Sequence, residues 1–453
     1  MRALTAPLYE LSEFEEIRKL LKKPGKYAAL TGCVESQKLH MAYGLSEGLR
    51  CRLIVTFSDQ RMKELQEDYR FYDRNTTCFP ARDVIFYQAD IHGNQLTKER
   101  IRCFRRMMEG RPFTVVTTFG SLLAPQIPLS VFRDNVITVS CNGSLDEKKM
   151  AEELVKLGYE NVYQVEAPGQ FSIRGGIIDI FDLTEENPYR IELWGDDVES
   201  IRSFDVQSQR SIEKLSSITI YPACELILTE EQLKKGMERI EKESKRFSEK
   251  LRKEFKTEEA HRVEEQMNTR KEEVFAYKSL ANLDGYVRYF YEDTVSFLNC
   301  LDVENSIVFL DEPARIREHA SAVELEFRES MSHRLEKGYI LPGQADFLYS
   351  VAEVTARMSA FRLASLAALD LKGGLLKPDW KADISAKSIS SYNNSFEALV
   401  SDLQRYKKNG YRVLLLSGSR TRAKRLAADL SEDGLTSFYT EDPDREIKPG
   451  EIM

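Results

Sequence analysis

Residues 27–36 read YAALTGCVES, and this stretch decides the class of the fold. Its first five residues have the composition of a short buried strand, and the helical pattern that follows at 37–49 begins after a glycine-containing turn. Strands and helices continue to alternate beyond it. Further strands are predicted at 51–57, 76–79 and 114–119, and helices at 59–72 and 94–108. This alternation predicts a parallel sheet covered by helices on both faces.

The same stretch has the context of a phosphate-binding loop, which requires G-x-x-x-x-G-K-[ST] between a strand and a helix. Ser36 fills the last position and Gly32 lies inside the motif, but Ala29 and Val34 replace its two glycines. Glu35 replaces the lysine, and a like charge about 4 Å from a phosphate costs roughly 4 kcal/mol at an effective dielectric constant near 20. We therefore interpret these five residues as a degenerate nucleotide site without ATP hydrolysis.

The second half of a nucleotide-hydrolysing site is an apolar strand that ends in an acidic pair, which binds magnesium and orients water. Residues 306–312 read SIVFLDE and end in Asp311 and Glu312. Without a working phosphate loop this pair has no ligand to act on. The two motifs together indicate the remnant of a nucleotide-dependent motor, so we expect no catalytic residue and no cofactor in this chain.

A different pattern begins at residue 126. A helix predicted at 145–157 is accompanied by closely spaced strands at 136–140, 161–165, 170–181, 189–194 and 199–204. One helix with a run of strands predicts a small inserted α+β domain with an antiparallel sheet, which we place at 126–208.

The remaining segments complete the predicted organisation. Residues 229–274 are rich in Glu and Lys with apolar residues at helical spacing, which predicts one or two long, exposed helices. Residues 373–391 read as a linker, and 392–453 as a small C-terminal βα domain. The predicted fold is therefore α/β: a helicase-like parallel-sheet domain at 1–125 and 209–372, interrupted by the inserted domain and followed by the small C-terminal domain.

Composition narrows the function classes. The 453 residues carry 65 Lys+Arg and 73 Asp+Glu, a net charge of −8, which does not suit a protein that coats nucleic acid. No segment approaches the roughly 18 consecutive apolar residues of a membrane helix. The seven cysteines form no C-x-x-C pair and the five histidines no ligand pattern, so we expect neither a disulfide framework nor a metal site. These features favour a cytoplasmic protein without membrane contact.

The inserted domain carries charged residues on strands that alternate between an apolar and a polar face. Arg190 and Glu192 share the polar face of one strand, and Arg174 lies on the polar face of another. On spacing alone, the favoured interpretation is an Arg190–Glu192 surface pair with nothing bound, worth at most about 1 kcal/mol.

Two runs of sequence in this domain change that interpretation. Residues 168–181 read PGQFSIRGGIIDIF, and residues 189–205 read YRIELWGDDVESIRSFD, followed by QSQR at 207–210. Both resemble the UvrB-homology module at the N-terminus of the bacterial transcription-repair coupling factors. Residues 80–83, PARD, ahead of a helix with Arg100 and Arg102, resemble the first half-domain of that family. The resemblance covers about residues 1–345 and continues more weakly into the last βα segment.

The resemblance implies a recruiting function. In this family the inserted domain binds UvrA, which brings excision repair to a stalled RNA polymerase. The positions that match UvrB contact residues are Arg174, Arg190 and Glu192, with Asp179 and Phe181 as weaker candidates. RNA polymerase and DNA are expected to bind domains beyond residue 453, and family behaviour suggests that such a domain masks the UvrA-binding face.

Two alternatives remain open at this point. The first is a UvrB-like, ATP-dependent DNA-damage enzyme, against which Glu35 and the short segment 80–94, where UvrB has its DNA hairpin, both argue. The second is weak DNA binding by a basic cluster in which Glu99 and Glu109 are interleaved. The cluster comprises Lys98, Arg100, Arg102, Arg105, Arg106 and Arg111. Its charge pattern is more typical of a solvated helix face.

Overall fold

The computed structural model describes residues 2–82, 93–275, 283–371, 373–384, 386–389, 391–393, 395–442 and 444–453. The strands in these ranges are β1 Tyr27–Thr31, β2 Cys51–Thr56, β3 Thr76–Phe79, β4 Phe113–Thr118, β5 Ile137–Ser140, β6 Glu160–Asn161, β7 Gln170–Arg174, β8 Ile177–Ile180, β9 Tyr189–Trp194, β10 Asp197–Phe204, β11 Ser211–Leu215, β12 Ser217–Ile220, β13 Ser306–Asp311, β14 Arg362–Leu366 and β15 Trp380–Asp383.

The α-helices are α1 Arg2–Thr5, α2 Ser12–Leu20, α3 Glu35–Leu45, α4 Asp59–Tyr69, α5 Gly93–Met108, α6 Phe119–Leu123, α7 Leu129–Asp134, α8 Glu147–Lys156, α9 Glu230–Lys253, α10 Thr257–Phe275, α11 Val287–Phe290, α12 Pro313–Glu336, α13 Pro342–Ala345, α14 Val351–Met358, α15 Phe396–Lys408 and α16 Arg420–Glu432. Across the described ranges, no helix has the length and apolar character needed to span a membrane.

A seven-stranded sheet forms the centre of the larger domain, in the order β15-β1-β14-β13-β2-β4-β3. Every pair in it is parallel. Successive strand residues enter two different apolar cores: Leu53 and Val308 belong to one, and Ile54 and Phe309 to the other. A parallel sheet that is packed on both faces has this pattern, so the predicted α/β class is confirmed.

The inserted unit is a separate six-stranded sheet in the order β11-β10-β9-β8-β7-β6. Its pairs are antiparallel except for β6 with β7. Phe171, Ile178, Ile191 and Ile201 are buried on one face, which confirms the small antiparallel domain. Because β12 pairs with β5, this unit extends beyond residue 208, the predicted end of the inserted domain.

The stretch predicted as one strand at 170–181 is instead the hairpin of β7 and β8. Gly175 and Gly176 form its turn with φ of 55° and 81°, values that glycine adopts without a Cβ clash. The single-strand prediction was therefore wrong because the glycine pair reverses the chain. The neighbouring strand predicted at 161–165 is reduced to β6, Glu160–Asn161.

The predicted linker at 373–391 was also wrong in part, because β15 belongs to the parallel sheet. Ala28 in β1 pairs with Trp380, and the Thr31 hydroxyl donates to Asp383 Oδ1 at 2.8 Å. A four-residue edge strand in a polar segment is recognisable only through the strand on which it pairs, which lies about 350 residues away in the sequence.

The charged segment predicted at 229–274 forms two long helices, α9 and α10, which pack on each other as a helical hairpin. A capping box at Thr229 and Gln232 begins α9. Met237, Ile240, Phe247 and Leu251 form its buried stripe.

The C-terminal segment contains the two predicted helices, α15 and α16. In place of the strands predicted at 411–417 and 436–439, it has isolated bridges from Val413 and Ser437 to Ile452. The position expected for the UvrB-type DNA hairpin, 80–94, lies mostly outside the described residues.

Candidate functional site

The polar face of the six-stranded sheet brings most of the predicted interface residues together. Asp179 in β8 lies directly across from Arg190 in β9, which in turn lies across from Arg202 in β10. Arg174, at the end of β7, projects on the same face because strand side chains alternate. We call this surface the arginine face and define it by Arg174, Asp179, Arg190, Glu192 and Arg202.

Asp179 is the anchor of this face. Its side chain is only 2% exposed. Arg190 donates two parallel hydrogen bonds to its carboxylate, from Nε to Oδ1 at 2.6 Å and from Nη2 to Oδ2 at 2.8 Å. Arg174 Nη2 approaches the same carboxylate at 3.5 Å. The hydrogen bonds that Arg190 donates to Asp179 raise the pKa of Arg190 above its usual value. A buried carboxylate thus fixes the position of two guanidinium groups.

Aromatic and amide side chains complete the support of the two arginines. The Arg190 guanidinium lies 4.3 Å from the centroid of the Phe204 ring, and its Nη2 donates to Gln209 Oε1 at 2.9 Å. Arg174 lies over the Tyr163 ring at 5.2 Å but keeps 41% of its side chain exposed. Arg174 is therefore held in place and still available to a partner.

Glu192 has different partners from those predicted. It accepts a hydrogen bond from the Ser200 hydroxyl at 2.6 Å and pairs with Arg202. Its pKa is lowered, chiefly by the Ser200 hydrogen bond and further by Arg202. The Arg190–Glu192 surface pair was wrong because each residue bonds to the residue directly opposite it on a neighbouring strand, Arg190 to Asp179 and Glu192 to Ser200.

Phe181 is not an accessible contact residue, because its side chain is buried just beyond β8. The sequence reasoning missed Arg202, Gln209 and Tyr163 as members of this neighbourhood. The turn between β9 and β10 sets the register that places Arg202 opposite Arg190. Gln209 and Tyr163 lie outside the strands of the sheet. Gln209 belongs to the QSQR run that carries the family resemblance, but nothing in the local pattern assigns either residue to this face.

The residues interpreted from the sequence as a degenerate nucleotide site lie at or near the carboxyl ends of β1 and β13. Lys38, in the second turn of α3, is 2% exposed and donates to Asp311 Oδ1 at 3.1 Å and to Glu312 Oε1 at 2.6 Å. It also reaches Glu35 Oε1 at 3.1 Å. Burial alone would lower the pKa of the Lys38 amine, but the Asp311 and Glu312 carboxylates raise it above its usual value.

Arg61 in α4 closes the second side of this network. Its Nε donates to Asp311 Oδ2 at 3.1 Å, and its guanidinium also pairs with Glu35. The Thr56 hydroxyl adds a bond to Asp311 Oδ2 at 2.9 Å. We call Glu35, Lys38, Arg61, Asp311 and Glu312 the closed ion network, because the protein itself supplies partners to both Asp311 oxygens.

The loop that precedes α3 is held by the sheet. Cys33 N–H donates to Ala367 O at 3.1 Å, and Ile384 N–H donates to Thr31 O at 2.8 Å. Gly32 has φ of 75°, and a Cβ on it would lie 2.3 Å from the Ile384 carbonyl oxygen, so only glycine fits. Ala29 belongs to β1, Val34 is the N-cap of α3, and Ser36 is in its first turn. The sequence did not predict the role of Lys38 in this network.

The basic cluster on α5 is not a solvated face at its centre. Arg100 is 1% exposed and donates to Glu225 Oε1 at 2.7 Å, to Pro80 O at 2.7 Å and to Gln126 Oε1 at 2.8 Å. Arg105 pairs with Glu185 and Arg106 with Glu109. The prediction failed for Arg100 and Arg105 because the charge pattern along a helix does not reveal carboxylates contributed by distant segments, here Glu225 and Glu185.

Comparison with known proteins agrees with this architecture. Residues 137–226 match the family described as the UvrB interaction domain. The chain is 30% identical over 370 residues to a transcription-repair-coupling factor of Bacillus subtilis strain 168, which covers 82% of this chain and 31% of the relative. It is 25% identical over 441 residues to the factor of the same name from Staphylococcus aureus strain Mu50, covering 97% and 37%.

The chain thus spans about a third of the length of the curated relatives that it matches. The family match includes every residue of the arginine face, and the longer matches extend over the parallel sheet as well. The chain is therefore similar to a part of the transcription-repair-coupling factors, and the domain inserted in its parallel-sheet unit matches the UvrB interaction domain.

Proposed function

We propose that this chain recruits UvrA, so that nucleotide excision repair is brought to a stalled RNA polymerase, and that the arginine face is the contact surface. The observation that carries the proposal is the exposed Arg174 beside the anchored Arg190, within a UvrB interaction domain. Arginine suits such a contact because its planar guanidinium binds carboxylates in two-point geometry.

The surroundings of the arginine face support an interface. Trp194, at the end of β9, is 80% exposed, and Tyr163 beside Arg174 is also exposed. Arginine, tryptophan and tyrosine are the residues most enriched among the energetic centres of protein interfaces. Glu192 contributes a carboxylate beside the arginines, so the surface presents both signs of charge to its partner.

The proposal is tested by calorimetric titration of UvrA into this chain without nucleotide, with an Arg174→Ala, Arg190→Ala double variant alongside. We expect binding by the unmodified chain and a loss of at least about 2 kcal/mol in the variant, the scale of an interface hot spot. Arg405→Ala, Arg425→Ala removes two exposed arginines from α15 and α16 and serves as the matched control.

Arg174→Glu provides a second variant in case the loss of Arg190 disturbs the sheet. Because 41% of the Arg174 side chain is exposed and its contact with Asp179 is long, at 3.5 Å, we expect this reversal to cost less stability than the loss of Arg190, while it places a negative charge at the contact. Equal binding by all variants would move the interface elsewhere, and absence of binding by the unmodified chain would overturn the recruiting function.

We further propose that the degenerate nucleotide site is not enzymatic. Glu35 lies where a phosphate-binding lysine belongs, and Lys38 is committed to Asp311 and Glu312, the pair that would otherwise bind magnesium. An equilibrium titration with a fluorescent ATP analogue and magnesium tests this proposal. Saturable binding in the micromolar range would contradict it.

The remaining assignments concern the whole protein. We propose that RNA polymerase and DNA are bound by parts of the protein other than this chain, and that the protein acts in the bacterial cytoplasm, where transcription and repair take place. We also propose that domain boundaries lie at residues 125, 372 and 391, as predicted from the sequence, and that the inserted domain extends far enough to include β12. The pairing of β12 with β5 supports that extension.

A further inference from the structure

The turn between β10 and β11 holds a glutamine in a backbone conformation that glycine normally occupies. Gln209 has φ of 58°, in the left-handed region, where the Cβ of other residues is crowded by the backbone. The turn is closed by hydrogen bonds from Asp205 N–H to Arg210 O at 2.9 Å and from Gln209 N–H to Asp205 O at 2.8 Å. Glycine would adopt this conformation without strain, so the reason for a glutamine lies in its side chain.

The side-chain amide of Gln209 has two partners, which together fix its orientation. Its Nε2 donates to Val206 O within the same turn at 2.8 Å. Its Oε1 accepts a hydrogen bond from Arg190 Nη2 at 2.9 Å. Because the nitrogen is bonded to the turn, the oxygen faces the guanidinium of Arg190. A glycine at this position would keep the turn but would remove one of the supports of Arg190.

The bond to Gln209 restrains Arg190 in a way that its other contacts do not. Asp179 accepts two bonds along one edge of the guanidinium, and the Phe204 ring covers one of its faces at 4.3 Å. Two bonds to one carboxylate still allow the guanidinium to tilt about the line that joins the two groups. The Gln209 bond lies off that line because it uses the other hydrogen of Nη2. It therefore restrains the tilt.

The hydrogen bonds of Arg190 leave one of its nitrogens to a partner. A guanidinium has five N–H groups, one on Nε and two on each Nη. Nε–H and one Nη2–H are bonded to Asp179, and the other Nη2–H is bonded to Gln209. Within the described part of the chain, Nη1 has neither a hydrogen-bond partner nor full burial. An acceptor on another molecule can therefore reach Arg190 through Nη1.

We propose that Gln209 is a positioning residue, which restrains Arg190 so that its Nη1 is presented to a carboxylate of UvrA. This role rests on the proposed contact of UvrA with the arginine face. A side chain that is already held loses less freedom on binding, which for one rotamer-rich side chain is worth about 2- to 10-fold in affinity. Backbone strain of the kind found at Gln209 is concentrated at functional sites, where the surrounding structure holds it in place.

Calorimetric titration with UvrA, together with thermal unfolding of each variant, tests the proposal. Gln209→Gly removes the amide and relieves the left-handed backbone. Gln209→Met keeps the length of the side chain and the backbone strain but offers Arg190 no amide oxygen. Phe255→Gly is the matched control for relief of strain. Phe255 is also left-handed, with φ of 61°, and it lies in the turn between α9 and α10 with its side chain exposed.

We expect both Gln209 variants to bind UvrA about 2- to 10-fold more weakly, although their stabilities differ. Gln209→Gly should unfold within about 2 °C of the unmodified chain, because relief of the backbone offsets the lost hydrogen bonds. Gln209→Met should unfold at a lower temperature, because it keeps the strain and loses those bonds. Phe255→Gly should be at least as stable as the unmodified chain and should bind UvrA with unchanged affinity. A purely structural role would make affinity follow stability across these variants.

A double variant distinguishes positioning from direct contact. In an Arg190→Ala background, Gln209→Gly should cause no further loss of affinity, because Gln209 acts through Arg190. A further loss as large as in the unmodified chain would show that Gln209 contacts UvrA itself and would overturn the positioning role. Unchanged binding by both Gln209 variants would overturn it as well, while weakened binding by Arg174→Ala, Arg190→Ala would leave the UvrA contact standing. If that arginine variant also bound normally, both the contact surface and the positioning role would be wrong.

Discussion

Two buried carboxylates of the molecule are bonded by cationic side chains: Asp311 in the closed ion network and Asp179 on the arginine face. The cations around the two carboxylates differ in how accessible they are to solvent. The cations around Asp311 are Lys38, which is almost fully buried, and Arg61, which is largely so. The cations around Asp179 include Arg174, which remains substantially exposed. The same ion-pair chemistry therefore satisfies charge internally in one region and presents it to solvent in the other.

The difference lies in the architecture that surrounds each carboxylate. Asp311 ends a central strand of a sheet covered by helices on both faces, so α3 and α4 enclose its partners. Asp179 lies on the outer face of a sheet whose opposite face is packed; its partner Arg190 is 16% exposed, like Arg61, but its second partner Arg174 keeps 41% of its side chain exposed. An interface requires the second arrangement, because a partner must reach the charges that the protein has already oriented.

The largest expected effect comes from opening the closed ion network. Lys38→Met keeps the side-chain volume but leaves Asp311 and Glu312 without their shared cation. Breaking one partner of a buried ion pair costs about 3–5 kcal/mol, so we expect a loss of that size in the free energy of unfolding, measured by urea denaturation.

Lys26→Met is the matched control for that experiment. Lys26 also pairs with an aspartate at the parallel sheet, Asp379 at 3.5 Å, but both side chains are exposed. Its loss should cost no more than about 1 kcal/mol. If the two variants were equally stable, the network around Lys38 would not be the closed structure described above.

Glu225 extends the comparison to a third buried carboxylate, at the junction of the two sheets. Burial raises the pKa of its carboxyl group, but Arg100 and Arg82 together lower it by more. The net shift of the pKa is therefore downward. Glu225→Gln should therefore lower the free energy of unfolding at pH 7 by about 2–3 kcal/mol, the value of a hydrogen bond to a charged group.

The stability difference between the unmodified chain and Glu225→Gln should depend on pH in a direction that can be checked. Because the folded-state pKa lies below the unfolded value of about 4.3, the stabilisation is complete well above that value and is lost as the pH falls through the folded pKa. The difference between the unmodified chain and Glu225→Gln should stay constant from pH 7 to about 5.5 and shrink below about 4.3. A constant difference down to pH 3 would contradict this assignment.

Arg190→Ala tests the anchoring of the arginine face and should have a smaller effect. It removes both short hydrogen bonds to Asp179, and we expect a loss of about 2 kcal/mol in the free energy of unfolding. An Asp179→Ala, Arg190→Ala double variant should lose less free energy of unfolding than the two single variants lose together, because no charge is left buried alone. Additive losses would show that the two residues do not form a unit.

The sequence predicted most of the strands that make the sheets, though not β11, β12, β14 or β15, and it did not predict the ionic contacts within them. β3 and β9 have the predicted bounds, because their apolar and alternating patterns are local properties. The Asp179–Arg190 pair depends on the register of a hairpin that the sequence reasoning read as a single strand. Lys38 and Asp311 are 273 residues apart, and neither segment contains a signal for the other.

The smallest stability effect is expected for Arg174→Ala, and this variant sharpens the comparison most. Its contact with Asp179 is long and 41% of its side chain is exposed, so the free energy of unfolding should fall by less than about 1 kcal/mol. Its affinity for UvrA should nevertheless fall about 10-fold or more, since the exposed guanidinium is the part that a partner reaches. A residue of the closed ion network would show the opposite ratio, with a large stability loss and no binding loss. If Arg174→Ala lost stability and affinity in equal measure, the arginine face would be a structural network like the one around Asp311, and the UvrA contact would have to lie elsewhere on the inserted domain.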